Sequence, residues 1–355
     1  MKILIIALAG IGDSLMFTPA LKILRKNLPN AEIHILTMLQ GAREIYAHNN
    51  DADRKIHFNF LKEGNINSLI FVNKMRKEKY DISINVYPMN RWEYNIVSFL
   101  IGVKTRIGHI YNHQNIRNLN FLNTKKIKED DNLHNVLENI RLLKFLGIEA
   151  DEIPELSISI PDDELKFARI WINESGLTDN DFIIGFHPGS STLKNHINKR
   201  WLPESFASLG NILIDKYDAK ILLFGGPEEK KLRENINKIM KNSAFIVETE
   251  SLLKTSAIMK YCKLFITNDT ALMHIASALK LNIVSIFGPT SEVYAYPWKT
   301  NCRIAKSNIH CRPCFYYSPR HLSCSLKNSP FACVRKLSVN EVLEKAEELI
   351  MEIDK

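Results

Sequence analysis

The sequence contains no long apolar stretch. A membrane-spanning helix needs about 20 predominantly apolar residues, and no uncharged apolar run approaches that length. The apolar residues 3–8 near the N-terminus lead into Gly12 and Asp13 without a small-residue cleavage site, which favours a buried strand over a signal peptide. We therefore expect a cytoplasmic protein.

Two further absences narrow the class of protein. The net charge is +8, but no basic tract has interleaved aromatic residues, so nucleic acid is the least expected anionic partner. A nucleotide, a phosphorylated glycolipid or a membrane surface suits the charge better. No repeat at the period of a solenoid protein occurs, and 355 residues suffice for two ordinary domains.

The N-terminal residues predict a βαβ unit with a glycine-containing turn. Its predicted elements are the strand Lys2–Leu8, the helix Leu15–Asn27 and the strand Ala31–Leu36. Gly10 and Gly12 lie in the turn, but Leu15 occupies the place of the third glycine of the dinucleotide-binding fingerprint. Asp13 precedes the helix, where a carboxylate either caps the helix or acts as a general base. The residues alone leave both roles open.

A second α/β series follows a linker at Ile153–Asp163, which contains two prolines and is predicted to hold one strand. Strands alternate with helices from there on, which indicates a parallel sheet. The predicted strands are Phe182–His187, Lys220–Phe224, Ala244–Val247, Lys263–Thr267 and Asn282–Phe287. Ligands of such sheets bind beyond the carboxyl ends of the strands. Polar residues that follow these strands are therefore candidates for a site.

Two of these strands run into polar turns. Ser190 and Ser191 follow the first, with Lys199 nearby, and hydroxyls with a cation at a strand end suit a diphosphate. The two serines also suit an ordinary loop. Glu228 and Glu229 follow the second strand and either take ribose hydroxyls or complement the dipole of the next helix.

The segment Thr267–Pro289 places four polar residues at one strand end. Asn268, Asp269 and Thr270 precede a predicted helix, and His274 shares a helix face with Thr270 because the two are four residues apart. Asp269 either caps this helix or faces a ligand.

Four of the six cysteines lie in one loop-rich segment, at Cys311, Cys314, Cys324 and Cys333. The leading C-x-x-C suits a structural site for zinc or iron, and disulfides are not expected in the cytoplasm. The longer spacing of the second pair leaves four free thiols as the alternative.

The segment His109–Asp131 has little periodicity and predicts a surface loop. Basic residues in or near it either contact a phosphorylated acceptor or are simply solvated. They are Arg91, Arg106, Arg117, Lys125 and Lys126.

Four motifs, in order along the chain, resemble those of a known family. They are ILIIALAGIGDSLMFTPALKILRKNLPNAEIHIL, GFHPGSS with NKRWLPESFASL, FGGPEE, and TNDTALMHIASALKLNIVSIFGPT. With them the chain resembles the ADP-heptose:lipopolysaccharide heptosyltransferases of glycosyltransferase family 9. Residues 40–130 match this family only loosely.

The resemblance implies a GT-B fold, in which two Rossmann-like α/β domains face each other across a cleft. The implied parts are an acceptor-binding domain at 1–160, a nucleotide-sugar-binding domain at 161–336 that includes the cysteine segment 311–333, and a C-terminal helix at 337–355 that packs back toward the first domain. The implied location is cytoplasmic, peripheral at most at the cytoplasmic face of the inner membrane.

The resemblance also implies roles for the candidate residues. Asp13 would be the base of an inverting transfer that uses no cofactor and no metal at the nucleotide. ADP-heptose would be the donor, and a glycolipid or another glycan the acceptor. Gly10 and Gly12 would lie in a turn near donor or acceptor. The implied donor-binding residues are Ser190, Ser191, Lys199, Glu228 or Glu229, Asp269, Thr270 and His274.

Ala271 departs from the family pattern, which commonly has glycine after Asp-Thr. This departure leaves the identity of the nucleotide and of the sugar undetermined, so another nucleotide sugar or a protein acceptor is an alternative. A sugar-nucleotide epimerase or hydrolase of the same fold, and a non-catalytic binding module, are further alternatives.

Overall fold

The chain folds into two compact units, each built on one sheet. The computed structural model describes residues 1–113, 118–316 and 321–353. The first unit is Met1–Ser159, and the second comprises Ile160–Tyr316 and the described residues after 320. Both sheets have six parallel strands covered by helices, so the α/β prediction is confirmed. No helix among the described residues has the length and apolar character needed to cross a bilayer.

The first sheet has the strand order β3-β2-β1-β4-β5-β6. Its strands are β1 (Lys2–Ala7), β2 (Glu32–Thr37), β3 (Arg54–His57), β4 (Ile82–Asn85), β5 (Thr105–Ile110) and β6 (Lys125–Lys128). The helices of this unit are α1 (Ile11–Met16), α2 (Thr18–Asn27), α3 (Gln40–Ala47), α4 (Gly64–Lys77), α5 (Trp92–Leu100) and α6 (Asn135–Arg141). The central strand β1 is almost entirely buried, as its continuous apolar run predicts for a sheet covered on both faces.

The second sheet has the equivalent order β12-β11-β10-β7-β8-β9. Its strands are β7 (Ile183–His187), β8 (Lys220–Leu223), β9 (Phe245–Ile246), β10 (Leu264–Asn268), β11 (Asn282–Ile286) and β12 (Cys302–Ala305). The helices are α7 (Asp162–Glu174), α8 (Pro203–Tyr217), α9 (Lys230–Ile239), α10 (Leu252–Met259), α11 (Ala271–Ala278), α12 (Ala332–Arg335) and α13 (Val339–Ile353).

In each sheet, the order in which successive strands are added reverses at the first strand of the unit. The strand β1 lies between β2 and β4, and β7 lies between β8 and β10. The chain thus leaves its first strand on one side and returns on the other, which opens a crevice at the carboxyl ends of the strands. Asp13 follows β1, Ser190 follows β7 and Asp269 follows β10. The topology therefore brings the candidate residues of each unit to its switch point.

The first predicted helix differs from the observed one. It begins at Ile11, four residues earlier than predicted, and is interrupted at Phe17. Pro19 causes the interruption, because its ring lacks an N–H and would clash with the carbonyl of Leu15 in a continuous helix. The hydroxyl of Thr18 donates to that carbonyl at 2.8 Å instead.

Two other predictions are wrong. The linker strand expected within Ile153–Asp163 does not form, and the N–H of Ser157 donates to the hydroxyl of Thr18 at 3.0 Å instead of joining a sheet. The loop expected at His109–Asp131 contains the edge strand β6, whose lysine-rich sequence concealed its pairing with β5.

The last helix, α13, belongs to the core of the second unit. Its buried residues are Val342, Ala346, Leu349 and Ile350, which join the apolar cluster on one face of the second sheet. These apolar contacts anchor the helix to the second unit. Residues 354 and 355 of the predicted segment lie outside the described residues.

Candidate functional site

Asp13 lies in the first turn of α1. Its Oδ2 accepts a hydrogen bond from the N–H of Gly10 at 2.9 Å, which caps the helix. A Cβ on Gly10 would lie 2.8 Å from that oxygen, so this approach needs glycine. Burial raises the pKa of Tyr94 and of Tyr111, and the charge of Asp13 adds to both effects. Asp13 is thus a half-buried carboxylate beside two aromatic rings; Gly12 lies in the same helical turn.

Asp269 is held by two partners outside its own helix. The Nζ of Lys199 lies 2.5 Å from its Oδ2, and the hydroxyl of Thr290 donates to the same oxygen at 2.7 Å. Burial opposes ionisation of this carboxyl, but Lys199 and the hydroxyl of Thr290 together keep the pKa of Asp269 below its usual range. The N-cap of α11 is Thr270, so the capping role considered for Asp269 is wrong. Lys199 and Asp269 form a largely buried ion pair.

The start of α11 has unsatisfied hydrogen-bonding capacity. Among the described residues, no side chain caps its N-terminus, and none is a hydrogen-bond partner of Nδ1 of the buried His274. Burial lowers the pKa of His274 to about 4, although the charge of Asp269 opposes this effect. The ring is therefore neutral at pH 7. A helix N-terminus favours an anion, and this one begins two residues after Asp269.

The two serines of the loop after β7 have different surroundings. Ser190 is buried; its hydroxyl donates to the carbonyl of His196 at 2.8 Å and accepts from Nε of Arg200 at 3.2 Å. Ser191 is exposed, and its Oγ accepts from the N–H of Leu193 at 3.2 Å. Ser190 thus shapes the loop, whereas Ser191 lies on its surface.

Asn268 fastens this loop to β10. Its Nδ2 donates to the carbonyls of Pro188 and Gly189, at 2.8 and 3.2 Å, and its Oδ1 accepts from the N–H of Trp201 at 3.0 Å. The sequence suggested that Asn268 faces a ligand. Its buried amide is instead used to position the loop.

A buried cluster that the motifs did not single out surrounds Glu229. The Nε2 of His187 lies 3.2 Å from Oε2 of Glu229, and Nη2 of Arg200 lies 3.4 Å from its Oε1. The other ring nitrogen of His187 lies 2.9 Å from the hydroxyl of Thr270. In the sequence, Gly189 was the one residue that could have indicated this cluster. A side chain there would collide with Glu229, because a Cβ on Gly189 would lie 1.8 Å from a Glu229 oxygen. The cluster ties the ends of β7, β8 and β10 together.

Glu228 and Glu229 should respond differently to replacement by glutamine. Glu229 is buried and Glu228 exposed, so Glu229→Gln should lower the thermal midpoint by several degrees, equivalent to about 1–3 kcal/mol. Glu228→Gln should leave that midpoint unchanged. Burial disfavours the Glu229 carboxylate, but His187 and Gly226 keep its pKa below 4.5. The effect of Glu229→Gln should therefore be complete above pH 4.5 and fade as the pH falls through the lower folded pKa. Equal destabilisation by both changes would contradict the assignment.

The four cysteines of the segment 311–333 are neighbours. Burial raises the pKa of Cys333 to about 11, and the charges of Cys314, Cys311 and Cys324 contribute to this effect. Four thiols suit zinc or iron chemically. However, no three of these sulfur atoms lie within 4.8 Å of one another in the described chain. Their arrangement is looser than a tetrahedral metal site.

The basic residues considered for acceptor contact are spread over different surroundings. Arg91 pairs with Glu93 at 2.8 Å, and Arg106 lies over the ring of Phe99 at 5.3 Å. Lys125 and Lys126 are exposed on the edge strand β6, and Arg117 lies outside the described residues.

Known proteins resemble the chain over almost its whole length. The sequence pattern described as "Glycosyltransferase family 9 (heptosyltransferase)" matches residues 69–323. A lipooligosaccharide heptosyltransferase 2 from Campylobacter jejuni is 26% identical over 366 residues, which cover 99% of the chain and 98% of that relative.

Solved structures share the fold. A glycosyltransferase family 9 protein from Veillonella parvula matches with a TM-score of 0.78 and 24% identity, covering 99% of this chain and 97% of that one. The Escherichia coli ADP-heptose LPS heptosyltransferase II matches with a TM-score of 0.75 and 20% identity over the full length of both chains. The two-domain α/β fold is therefore that of the GT-B glycosyltransferases, as the motifs implied. Because the family pattern covers well over half of it, the chain belongs to glycosyltransferase family 9, the heptosyltransferase family, and is a glycosyltransferase.

Proposed function

We propose that the protein transfers a heptose from ADP-heptose to a lipopolysaccharide-core-like glycolipid, with inversion at the anomeric carbon. Membership of family 9 supports heptosyl transfer. The names of the relatives support this donor and acceptor class. The observation that carries the donor site is the Lys199–Asp269 pair, which lies beside the uncapped N-terminus of α11.

The second unit is proposed to bind the donor through its diphosphate. Lys199, the first N–H groups of α11 and the exposed hydroxyl of Ser191 are donors suited to phosphate oxygens. His274 is neutral and its Nδ1 has no partner among the described residues, so it can hydrogen-bond the sugar or a phosphate. Thr270 would orient His187 at the edge of this site. These groups would stabilise the negative charge that grows on the departing diphosphate without a metal at the nucleotide.

Glu228 is proposed to meet the ribose. Glu229 is committed to His187, Arg200 and the N–H of Gly226 inside the protein. The carboxylate of Glu228 is exposed at the end of β8. An accessible carboxylate can accept hydrogen bonds from two ribose hydroxyls.

Asp13 is proposed to act as the base toward the acceptor. It would take the proton of the acceptor hydroxyl while that oxygen bonds to the anomeric carbon. The bond from the anomeric carbon to the diphosphate oxygen would break on the opposite side, and ADP would leave with the electron pair. A carboxylate at a helix N-terminus is stabilised as the anion that this role requires.

The proposal is tested by product analysis with and without acceptor. Purified protein should release ADP from ADP-heptose rapidly only when a lipid A–inner-core acceptor is present, and the product should carry one added heptose with inverted configuration. Equal ADP release without acceptor would favour a hydrolase or epimerase. Binding of ADP-heptose without any turnover would favour a binding module. Transfer from another nucleotide sugar at a higher kcat/KM would show that this sugar, and not ADP-heptose, is the donor.

We also propose that the cysteine segment 311–333 binds zinc or iron in a structural role. This segment braces the loop after β7: the N–H of Leu322 donates to the carbonyl of Lys194 at 2.9 Å, and the ring of Phe315 contacts that of His196. The sulfur atoms would have to draw together to hold a metal. The charge of a bound metal would favour the thiolates, whose pKa values are otherwise raised at Cys314 and Cys333.

A metal at this segment should be detectable and stabilising. Purified protein should contain one zinc or iron per chain by elemental analysis, and removal with a chelator should lower the thermal midpoint. Cys314→Ser should abolish the metal content, whereas Cys262→Ser, outside the segment, should not. Metal-free protein with unchanged stability would reject the proposal and leave four free thiols.

A further inference from the structure

Half of the large hydrophobic side chains that the described structure leaves exposed lie in one part of the first unit. They belong to α4, to α5 and to the turns beside them. Eight of the sixteen are Leu61, Ile66, Leu69, Ile70, Trp92, Phe99, Leu100 and Phe121. We call these residues the apolar patch. Isolated exposed hydrophobic residues are ordinary, but a large contiguous group marks an interaction surface.

The helix α4 carries apolar residues on both sides. Val72 and Met75 point into the core beneath the first sheet. Ile66, Leu69 and Ile70 are between 62% and 76% exposed on the opposite side. Their spacing of three and four residues places them on one face of the helix. The core therefore accounts for only the inner face of α4, and its outer face has no partner among the described residues.

Lysines flank the outer face of α4. Lys74 and Lys77 continue the helical stripe of Ile66 and Ile70, because they follow Ile70 by four and seven residues. Lys62 precedes the helix beside Leu61. All three lysines are exposed, and within the described part of the chain no ion pair joins them to a carboxylate. The face thus combines apolar side chains with unneutralised positive charge.

The neighbouring helix carries further exposed apolar residues of the patch. The helices α4 and α5 pack against each other, and the turn Asn120–Leu122 packs against α5. Trp92 begins α5, while Phe99 lies near its end beneath the guanidinium of Arg106. Aromatic side chains and arginine are suited to the boundary between lipid tails and headgroups.

One end of the patch lies at the edge of the sheet that carries Asp13. Crossover helices of a parallel sheet run opposite to its strands, so the N-terminal ends of α4 and α5 lie at the carboxyl ends of the strands. Ile66 and Trp92 are near those ends, and Asp13 follows β1 at the same edge. The patch therefore reaches the sheet edge at which Asp13 lies.

We infer that the outer face of α4, continued by α5, docks onto an anionic phospholipid bilayer. Apolar side chains beside uncompensated lysines form the pattern of a helix that lies in a membrane interface. The lysines also disfavour a second copy of the chain as the occupant, because two such faces would repel each other. The docking inference concerns only this surface, so it does not depend on which sugar the protein transfers.

The experiment measures co-sedimentation of the full-length protein with vesicles. Vesicles of phosphatidylcholine are compared with vesicles that also contain phosphatidylglycerol. The protein should bind the anionic vesicles about tenfold or more tightly. Ile66→Ser, Leu69→Ser and Ile70→Ser combined should weaken this binding about tenfold. Lys74→Glu with Lys77→Glu should also weaken it, and added salt should reduce the wild-type binding.

Matched variants in the second unit serve as controls. Ile170→Ser with Met351→Ser removes two apolar residues that are 56% and 59% exposed, and Lys231→Glu with Lys238→Glu reverses two exposed lysines. Neither pair should change vesicle binding. Every variant should keep its thermal midpoint and its transfer rate on a delipidated acceptor, which separates docking from catalysis. The inference would be overturned if the wild-type protein did not bind anionic vesicles, or if the patch variants bound them as tightly as the wild type. If the triple variant of Ile66, Leu69 and Ile70 keeps its vesicle binding but changes from a dimer to a monomer, the patch is instead an interface between two copies of the chain.

Discussion

Asp13→Asn should slow transfer by about 10²- to 10⁴-fold, the range that positioned general bases contribute. Asparagine keeps an oxygen that can accept the hydrogen bond from Gly10, so the helix cap and the stability should be preserved. The variant loses the negative charge of Asp13 and with it the ability to take a proton. Donor binding, measured by calorimetry with ADP, should be unchanged.

Two comparisons make the Asp13 prediction specific. Asp51→Asn changes another half-buried carboxylate of the first unit and should leave the transfer rate unchanged. Asp13→Ala should lose the rate and also about 1 kcal/mol of stability, because the cap is removed. Transfer at the wild-type rate by Asp13→Asn would remove Asp13 from the chemistry and leave it the capping role alone.

Asp269→Ala should be the most destabilising single change at the candidate site. It leaves the ammonium group of Lys199 largely buried without its partner, which costs about 3–5 kcal/mol in comparable buried pairs. It also frees the hydroxyl of Thr290. Urea unfolding measures the loss. Because the folded pKa of Asp269 lies below the ordinary aspartate value of 3.8, this stabilisation is present above that value and lost as the pH falls through the folded pKa.

The partner change separates stability from function. Lys199→Met removes the charge proposed to hold the diphosphate, so it should abolish measurable donor binding. The double variant Lys199→Met with Asp269→Leu should be more stable than Asp269→Ala and still inactive, because no buried charge is left unpaired. Strictly additive losses of stability would show that the two side chains do not interact. A fully active double variant would contradict the donor-site assignment.

Much of the architecture was readable from local patterns. The apolar runs of β1, β7 and β10 predicted their strands within one or two residues, because strands buried on both faces must be continuously apolar. The motifs correctly identified the family and the fold. Alternation of strands and helices was sufficient to expect polar residues of one unit at one sheet edge. The lysine-rich β6 and the kinked first helix were missed, because edge pairing and the effect of Pro19 depend on neighbours.

The residue types at the site were determined by the sequence, but their tasks were decided only in three dimensions. Glu228 and Glu229 are adjacent in the chain, yet the turn after β8 exposes one and buries the other. Asn268 looked like a ligand contact and instead holds the loop after β7. Asp269 looked like a cap and instead pairs with Lys199, 70 residues earlier in the sequence. The reason is physical: a polar side chain takes the partners that burial leaves within hydrogen-bond distance, and those partners come from strands brought together by the sheet.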